Sequence, residues 1–401
     1  MNPPLRFSTT EDWTECQLKD ICEINPSAEK MPDTFQYIDL ESVTNGRLLQ
    51  TIPCCKSSAP SRARRILSNE DVLFQTVRPY QKNNYFFKSD SNTSVVASTG
   101  YAQLRCSSNS AYFLYTLIHT DSFVNQVLQK CTGGAYPAIT ASSLSTVKIN
   151  IPVVQEQQKI ASFFSTLDQK IELNERKLEA LEKLKKGVMQ KIFDHEFSFK
   201  DKEGKKFPEW KKTYLKDILL FQNGINTGKE NFGTGIKLIS VNEVLSPFPI
   251  KYDDISSSVM VDDEVGKKFS VTYGDVLFQR SSETREDAGT SNVYIDNIRE
   301  AVFGGFVIRG KRIGDYNPIF LHELLRSPKV RQQIIKYAQG AQHINIGQES
   351  LEKIEIKLPC REEQENIAEL AIALYKKIEL LTNKVKRLKN LKKGFMQQMF
   401  V

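Results

Sequence analysis

The sequence predicts an α+β protein: two similar mixed α/β domains, together with two long helices that pair with each other. Three observations lead there. The decapeptide LKKGVMQKIF at 184–193 returns as LKKGFMQQMF at 391–400. The whole chain aligns on itself at an offset of about 207 residues. Each copy also ends in a long stretch with apolar residues at heptad spacing.

The offset carries far more than the decapeptide. Ile149-Asn150-Ile151-Pro152 falls on Ile356-Lys357-Leu358-Pro359, Glu156-Gln157 on Glu363-Gln364, and Ile171-Glu172-Leu173 on Ile378-Glu379-Leu380. With small changes in loop length, Asp71-Val72-Leu73-Phe74-Gln75 meets Asp275-Val276-Leu277-Phe278-Gln279. Trp13 with Leu18-Lys19-Asp20-Ile21 likewise meets Trp210 with Leu215-Lys216-Asp217-Ile218. A repeat of about 200 residues is a duplicated domain, because solenoid repeats are several-fold shorter.

Within each copy, short β-branched and aromatic runs broken by Gly, Asn, Ser and Pro predict strands and turns. One helical pattern follows, at 110–130 and at 317–338. The last element is the long helix, near 155–193 and 362–400. In the first, Phe164, Leu167, Ile171, Leu178, Leu181, Val188 and Ile192 take the core positions, with Asn174 and Lys185 as polar breaks. In the second, Ala371, Leu374, Ile378, Leu381, Val385, Leu388, Phe395 and Met399 do so, with Lys392 polar. A 38-residue rod is roughly 57 Å long, too long for one small domain to cover its thin apolar stripe, so the two helices are expected to pair. The domain boundaries read as 1–153, 154–195 for the first helix, 196–209 for a polar linker, 210–360, and 361–401 for the second helix.

Composition excludes several classes. Forty per cent hydrophobic and ten per cent aromatic residues make a globular chain rather than a disordered one. No apolar run approaches the roughly 20 residues that span a bilayer, no basic-then-apolar leader is visible, and the cysteine pattern fits a reducing cytoplasm. Seven cysteines without a C-x-x-C pair argue against a disulfide framework or zinc site. Net charge of +7 permits a polyanionic partner. The four histidines form no H-E-x-x-H, and neither a phosphate-binding glycine loop nor G-x-S-x-G occurs. Asn2-Pro3-Pro4 lacks the aromatic residue of an amino-methyltransferase motif, and Glu355-Ile356-Lys357 lacks the acidic partner of a nuclease. No metal and no cofactor of its own is expected, and the chain is read as non-catalytic.

The run TGGAYPAITASSLSTVKINIPVVQEQQKIASFFSTLDQKIE (132–172) resembles the signature of type I restriction-modification specificity subunits. A Thr-Gly-Gly turn leads into a strand ending in I-x-I-P, then E-Q-x-x-I-A and a helix with D-x-x-I. The second copy at 339–379 is similar, with Gln339-Gly340-Ala341 for the glycine turn and Tyr375 where the first copy has Asp168. The resemblance implies two target recognition domains that each read one half of a split, asymmetric site in double-stranded DNA. It also implies that the long helices form an antiparallel coiled coil, which separates the domains and docks two methyltransferase subunits. Restriction subunits would complete the assembly, and S-adenosylmethionine would belong to the methyltransferase partner alone. A related system whose partner fuses methyltransferase and nuclease is the first alternative. A coiled-coil interaction protein without a DNA role is the second.

Candidate DNA contacts follow the Asp-Val-Leu-Phe strands, where Gln75, Thr76, Arg78, Tyr80 and Lys82 in one copy match Gln279, Arg280 and Ser281 in the other. Gln and Arg are the side chains that pair bidentately with adenine and guanine edges. The turn Gly133-Gly134-Ala135-Tyr136 and its counterpart Gly340-Ala341-Gln342-His343 are candidates for phosphate approach, with helix capping as the competing reading. Arg62 and Arg64, beside Arg65, form a basic cluster suited to phosphates. Leu167, Ile171, Leu178, Leu181, Val188, Leu374, Ile378, Leu381, Leu388 and Phe395 are the expected coiled-coil and partner-docking positions.

Overall fold

A computed structural model describes residues 2–7, 11–27, 30–89, 93–226 and 228–400. The chain forms two compact units whose boundaries do not follow chain order. The first comprises residues 1–175 and 383–401, the second residues 176–382. Each unit therefore contains one globular copy, the first half of its own long helix, and the last part of the other copy's helix.

The first unit holds two four-stranded sheets. One runs Ile52–Cys55, Thr34–Ile38, Val95–Ser98, Ala63–Ile66, with the middle pair parallel. The other runs Glu23–Ile24, Tyr101–Arg105, Val72–Gln75, Tyr85–Phe86 and is antiparallel throughout. In the second unit, Leu219–Asn223, Val307–Arg312, Val276–Gln279 and Ser291–Val293 repeat the antiparallel sheet. The strands Ser257–Val259, Phe232–Ile239 and Val302–Phe303 repeat the other, again with a parallel pair. The Val72–Gln75 and Val276–Gln279 strands are buried along their whole length, as continuous apolar runs predict.

Each expected single helix before the last strand is two helices. Ala111–Leu117 gives way to Asp121–Gln129 because the Thr120 hydroxyl accepts from Phe123 N and starts a new helix. Pro318–Arg326 gives way to Pro328–Tyr337 because Pro328 has no N–H to continue the first.

The long helices run Val154–Phe193 and Arg361–Met399. The Glu-Gln pair at each start is a clasp. Gln157 Nε2 donates to Pro152 O at 3.0 Å while its Oε1 accepts from Ser110 N at 3.1 Å. Gln364 repeats this on Pro359 O and Asn317 N at 3.0 and 2.9 Å. Glu156 pairs with Arg6 at 2.7 Å, and Glu363 accepts from Trp210 Nε1 at 3.1 Å.

Contacts inside each unit make the helix pair antiparallel. Lys392, late in the second helix, lies 2.6 Å from Asp168, early in the first, and Lys389 lies 2.6 Å from Glu175. In the second unit Lys185, late in the first helix, reaches the Tyr375 hydroxyl at 3.2 Å. The repeated decapeptides end inside globular cores. In the first unit Phe400 is buried against Trp13 and Phe113, with ring centroids 6.2 and 5.6 Å away. In the second unit Phe193 meets Trp210 and Phe320 at 6.2 and 6.1 Å. Burying each ring is worth about 1.5–3 kcal/mol.

This changes the reading of the seam. Leu167, Ile171, Leu374 and Ile378 are buried, and Leu178, Leu181, Val188, Leu381, Leu388 and Phe395 are half-buried, all by the chain itself. The leucines that stay exposed lie off this seam: Leu173 and Leu184, with their repeat equivalents Leu380 and Leu391. Gly187 and Gly394 also have nothing within 4 Å of where a Cβ would lie. The stretch 196–209 is not a bare polar linker either. A Lys200–Lys206 bridge closes a small hairpin, and Phe199 packs on the second unit's core.

Candidate nucleic-acid interface

The first unit brings together segments far apart in sequence. Thr76 follows the buried Val72–Gln75 strand, and its N–H and hydroxyl both donate to Gly100 O, at 3.0 and 2.7 Å. Next to Gly100, Thr99 N donates to Arg62 O at 2.8 Å. On the other side Ile139 N donates to Thr76 O at 3.0 Å, and Arg78 N to Pro137 O at 2.7 Å. Arg62, Thr76, Arg78 and the 133–136 turn thus form one surface.

Arg78 is the centre of this surface. Its φ of 54° is left-handed, a costly state for a residue with a Cβ and one that concentrates at functional positions. The strain is held by Pro79, which starts a single 3₁₀ turn to Gln81, and by Tyr136, whose ring lies 4.3 Å under the guanidinium. Its Nε is buried without a hydrogen-bond partner. A stacked, half-exposed guanidinium with free donors suits bidentate pairing with a guanine edge. Tyr80 and Tyr136 are exposed on the same loops.

Three expected contacts are corrected here. Gln75 is only 3% exposed, and its amide bonds Gln81 and Asn83 N, which shapes the loop and leaves nothing for a base. Lys82 points its ammonium at His119 O and Asp121, at 2.9 and 2.6 Å. Gln279 in the second unit is 6% exposed and donates to Ser281 O at 2.9 Å. Arg64 is exposed, with Nε donating to Ser61 O at 3.0 Å.

The second unit repeats the arrangement. Arg280 N donates to Phe306 O at 2.9 Å, Ile346 N donates to Arg280 O at 3.0 Å, and Ser281–Ser282 pairs with Ile344–Asn345. Gln342 and His343 are exposed on the adjoining turn. Neither glycine turn caps a helix, since the preceding helices end at Gln129 and Tyr337. Both turns close short bridges, Thr132 to Ala138 and Gln339 to Asn345. Gly133 and Gly340 have φ of 93° and 124°, and a Cβ would meet Tyr136 O at 3.0 Å or His343 O at 2.1 Å. Glycine is needed there for the turn itself. Among the described residues no group of three or more His, Cys, Asp or Glu side chains is placed to hold a metal. Among the same residues no helix is long and apolar enough to cross a membrane.

Residues 10–183 match the family model described as type I restriction modification DNA specificity domain. The MjaVIII specificity subunit of Methanocaldococcus jannaschii is 26% identical over 298 residues, covering 71% of this chain and 68% of that protein. The putative MjaX specificity subunit of the same organism is 24% identical over 96% of this chain and 92% of its own length. Over nearly its whole length the chain is thus similar to a type I specificity subunit. The HindI specificity subunit of Haemophilus influenzae aligns over less than half of either chain, 45% and 41%, at 26% identity. The fold is shared along the whole chain with solved S subunits. The type I restriction-modification S subunit from M. genitalium superposes with a TM-score of 0.62 at 13% identity, over 100% of this chain and 99% of that one. A chain from a type I R-M system gives 0.57 at 19% identity, over 98% and 99%.

The residues that sequence reasoning missed are Thr99, Gly100 and the Gly304–Phe306 loop. They reach this face only through turns that pass from a strand of one sheet to a strand of another, and an aromatic residue after two glycines was the one local signal.

Proposed function

We infer that this chain is the DNA-specificity subunit of a type I restriction-modification complex, with recognition as its role and catalysis left to its partners. The globular copy in each unit reads one half of a bipartite, asymmetric site, and the antiparallel helices fix the distance between half-sites. One observation supports this most: the same strand-loop-and-turn face is built in both units with different exposed side chains. Arg280 in the second unit stands where Thr76 stands in the first, and Gln342 and His343 stand where Ala135 and Tyr136 do, while Arg78 and Tyr80 belong to the first unit's loop alone. Two copies of a methyltransferase subunit dock on the exposed leucines and open glycines that recur at equivalent helix positions. Restriction subunits join that assembly, and S-adenosylmethionine binds the methyltransferase.

The test is methylation mapping in a host that expresses the chain with its methyltransferase, followed by gel shift of the assembled complex. A single bipartite motif with a fixed spacer, bound in preference to random duplex, is the expected result. Sequence-indifferent binding, or methylation unchanged when the chain is omitted, would sink the proposal.

A further inference from the structure

The recognition face of the second unit carries a concavity that the polar candidate residues do not account for. It encloses about 360 Å³, with Phe232 and Phe306 at its lip, Leu238 and Val241 among its walls, and Asn226 beside Gly305. Phe306 is 70% exposed and Phe232 48% exposed. A single exposed apolar side chain is ordinary. Two rings at the rim of one apolar hollow, joined to a recognition arginine, call for a partner.

The loop is held rigidly. Arg280 N donates to Phe306 O at 2.9 Å and its Nη1 to Gly305 O at 3.4 Å. Behind it, Ile225 N donates to Phe303 O at 2.9 Å. A Cβ on Gly224 would stand 2.1 Å from Gly304 O, a backbone atom, so only glycine there lets the loops close this far. The first unit presents Thr99 and Gly100 at the same place, a polar tip. An arginine reads the acceptors of guanine, whereas an apolar side chain recognises the C5 methyl group of thymine.

We propose that Phe306 is a specificity-determining residue, and that the hollow between Phe232 and Phe306 takes the C5 methyl group of a thymine in the half-site read by the second unit. The inference rests on the DNA-reading role above, and it is continuous with that face through Arg280.

The experiment uses the full chain assembled with its methyltransferase and duplexes carrying the motif found by methylation mapping. Each thymine of the second half-site is replaced in turn by uracil, which lacks only the methyl group. One position should lose about fourfold in affinity, the factor for one methyl-sized group leaving an apolar site. Phe306→Ala should weaken cognate binding by about tenfold and abolish the uracil penalty. Phe306→Leu, still apolar, should keep part of that penalty, and uracil in the first half-site should have no effect. A second half-site in which no thymine responds, or a Phe306→Ala complex that keeps the full penalty, overturns the proposal and leaves the DNA-reading role standing. Wild-type complex that binds all duplexes equally removes the role itself.

Discussion

The two units solve the same packing problem with the same chemical groups in exchanged places. In the first, Lys392 meets Asp168 on the long helix at 2.6 Å, and the Tyr112 hydroxyl donates to that carboxylate at 2.9 Å from the short helix Ala111–Leu117. In the second, Lys185 meets Glu323 on the short helix at 2.8 Å, and the tyrosine, Tyr375, is on the long one. The Tyr375 hydroxyl donates to Glu323, and the Lys185 ammonium lies 4.3 Å from the ring centroid. Burial and the neighbouring carboxylate hold both phenols well above their ordinary range. A change from aspartate to tyrosine that looks disruptive in sequence is therefore compensated from another element. The lesson is that the lysine, carboxylate and tyrosine act as a set, and the set can be distributed differently over the same backbone.

The largest test of this comparison concerns the crossed helix ends. Phe193→Ala and Phe400→Ala should each cost about 3–5 kcal/mol, measured by denaturant unfolding. Hydrogen exchange should localise the first loss to strands of the second unit and the second loss to strands of the first. Loss in the unit that follows chain order would break the assignment of the two cores.

The lysines come next. Lys185→Met leaves Glu323, a buried carboxylate, without its cation, at a cost of about 3 kcal/mol. Lys392→Met leaves the half-buried Asp168 in reach of water, at about 1 kcal/mol. Equal losses would mean that the exchanged carboxylate is not the difference between the units.

On the recognition faces, Arg78→Ala and Arg280→Ala should each weaken cognate binding by about tenfold. Methylation mapping should then show relaxed choice in one half-site only, a different half for each variant. Relaxation of both halves by either change would contradict independent reading.

The smallest expected effect is acid sensitivity. Burial holds His119 down at about 4, with Lys392 and Lys82 lowering it further against Tyr115 O and Asp168, and it holds His322 well below its usual value. Both are neutral when folded, so their contribution is present above pH 6.5 and is lost as pH falls toward the folded pKa. His119→Gln should flatten the loss of stability between pH 6.5 and 4, followed by thermal melting. An unchanged acid slope in that variant and in His322→Gln would place the titrating groups elsewhere.

The sequence by itself determined the duplication, the two long helices and the resemblance to type I specificity subunits, because all three are written as periodic or repeated patterns along the chain. Gln75 and Gln279 show where that reading stopped. Their residue type suits a base edge, but both leave their strands facing inward, and only burial in the folded chain revealed it. The decapeptides read as rod ends because heptads specify a stripe, not what covers it. Tertiary structure decided that they finish two globular cores. It also decided which turns stand beside Arg78 and Arg280, since backbone hydrogen bonds between distant strands leave no local signature. Apolar burial follows the pattern of one helix or strand at a time, whereas a binding face is assembled from several, and its composition is settled only when they meet.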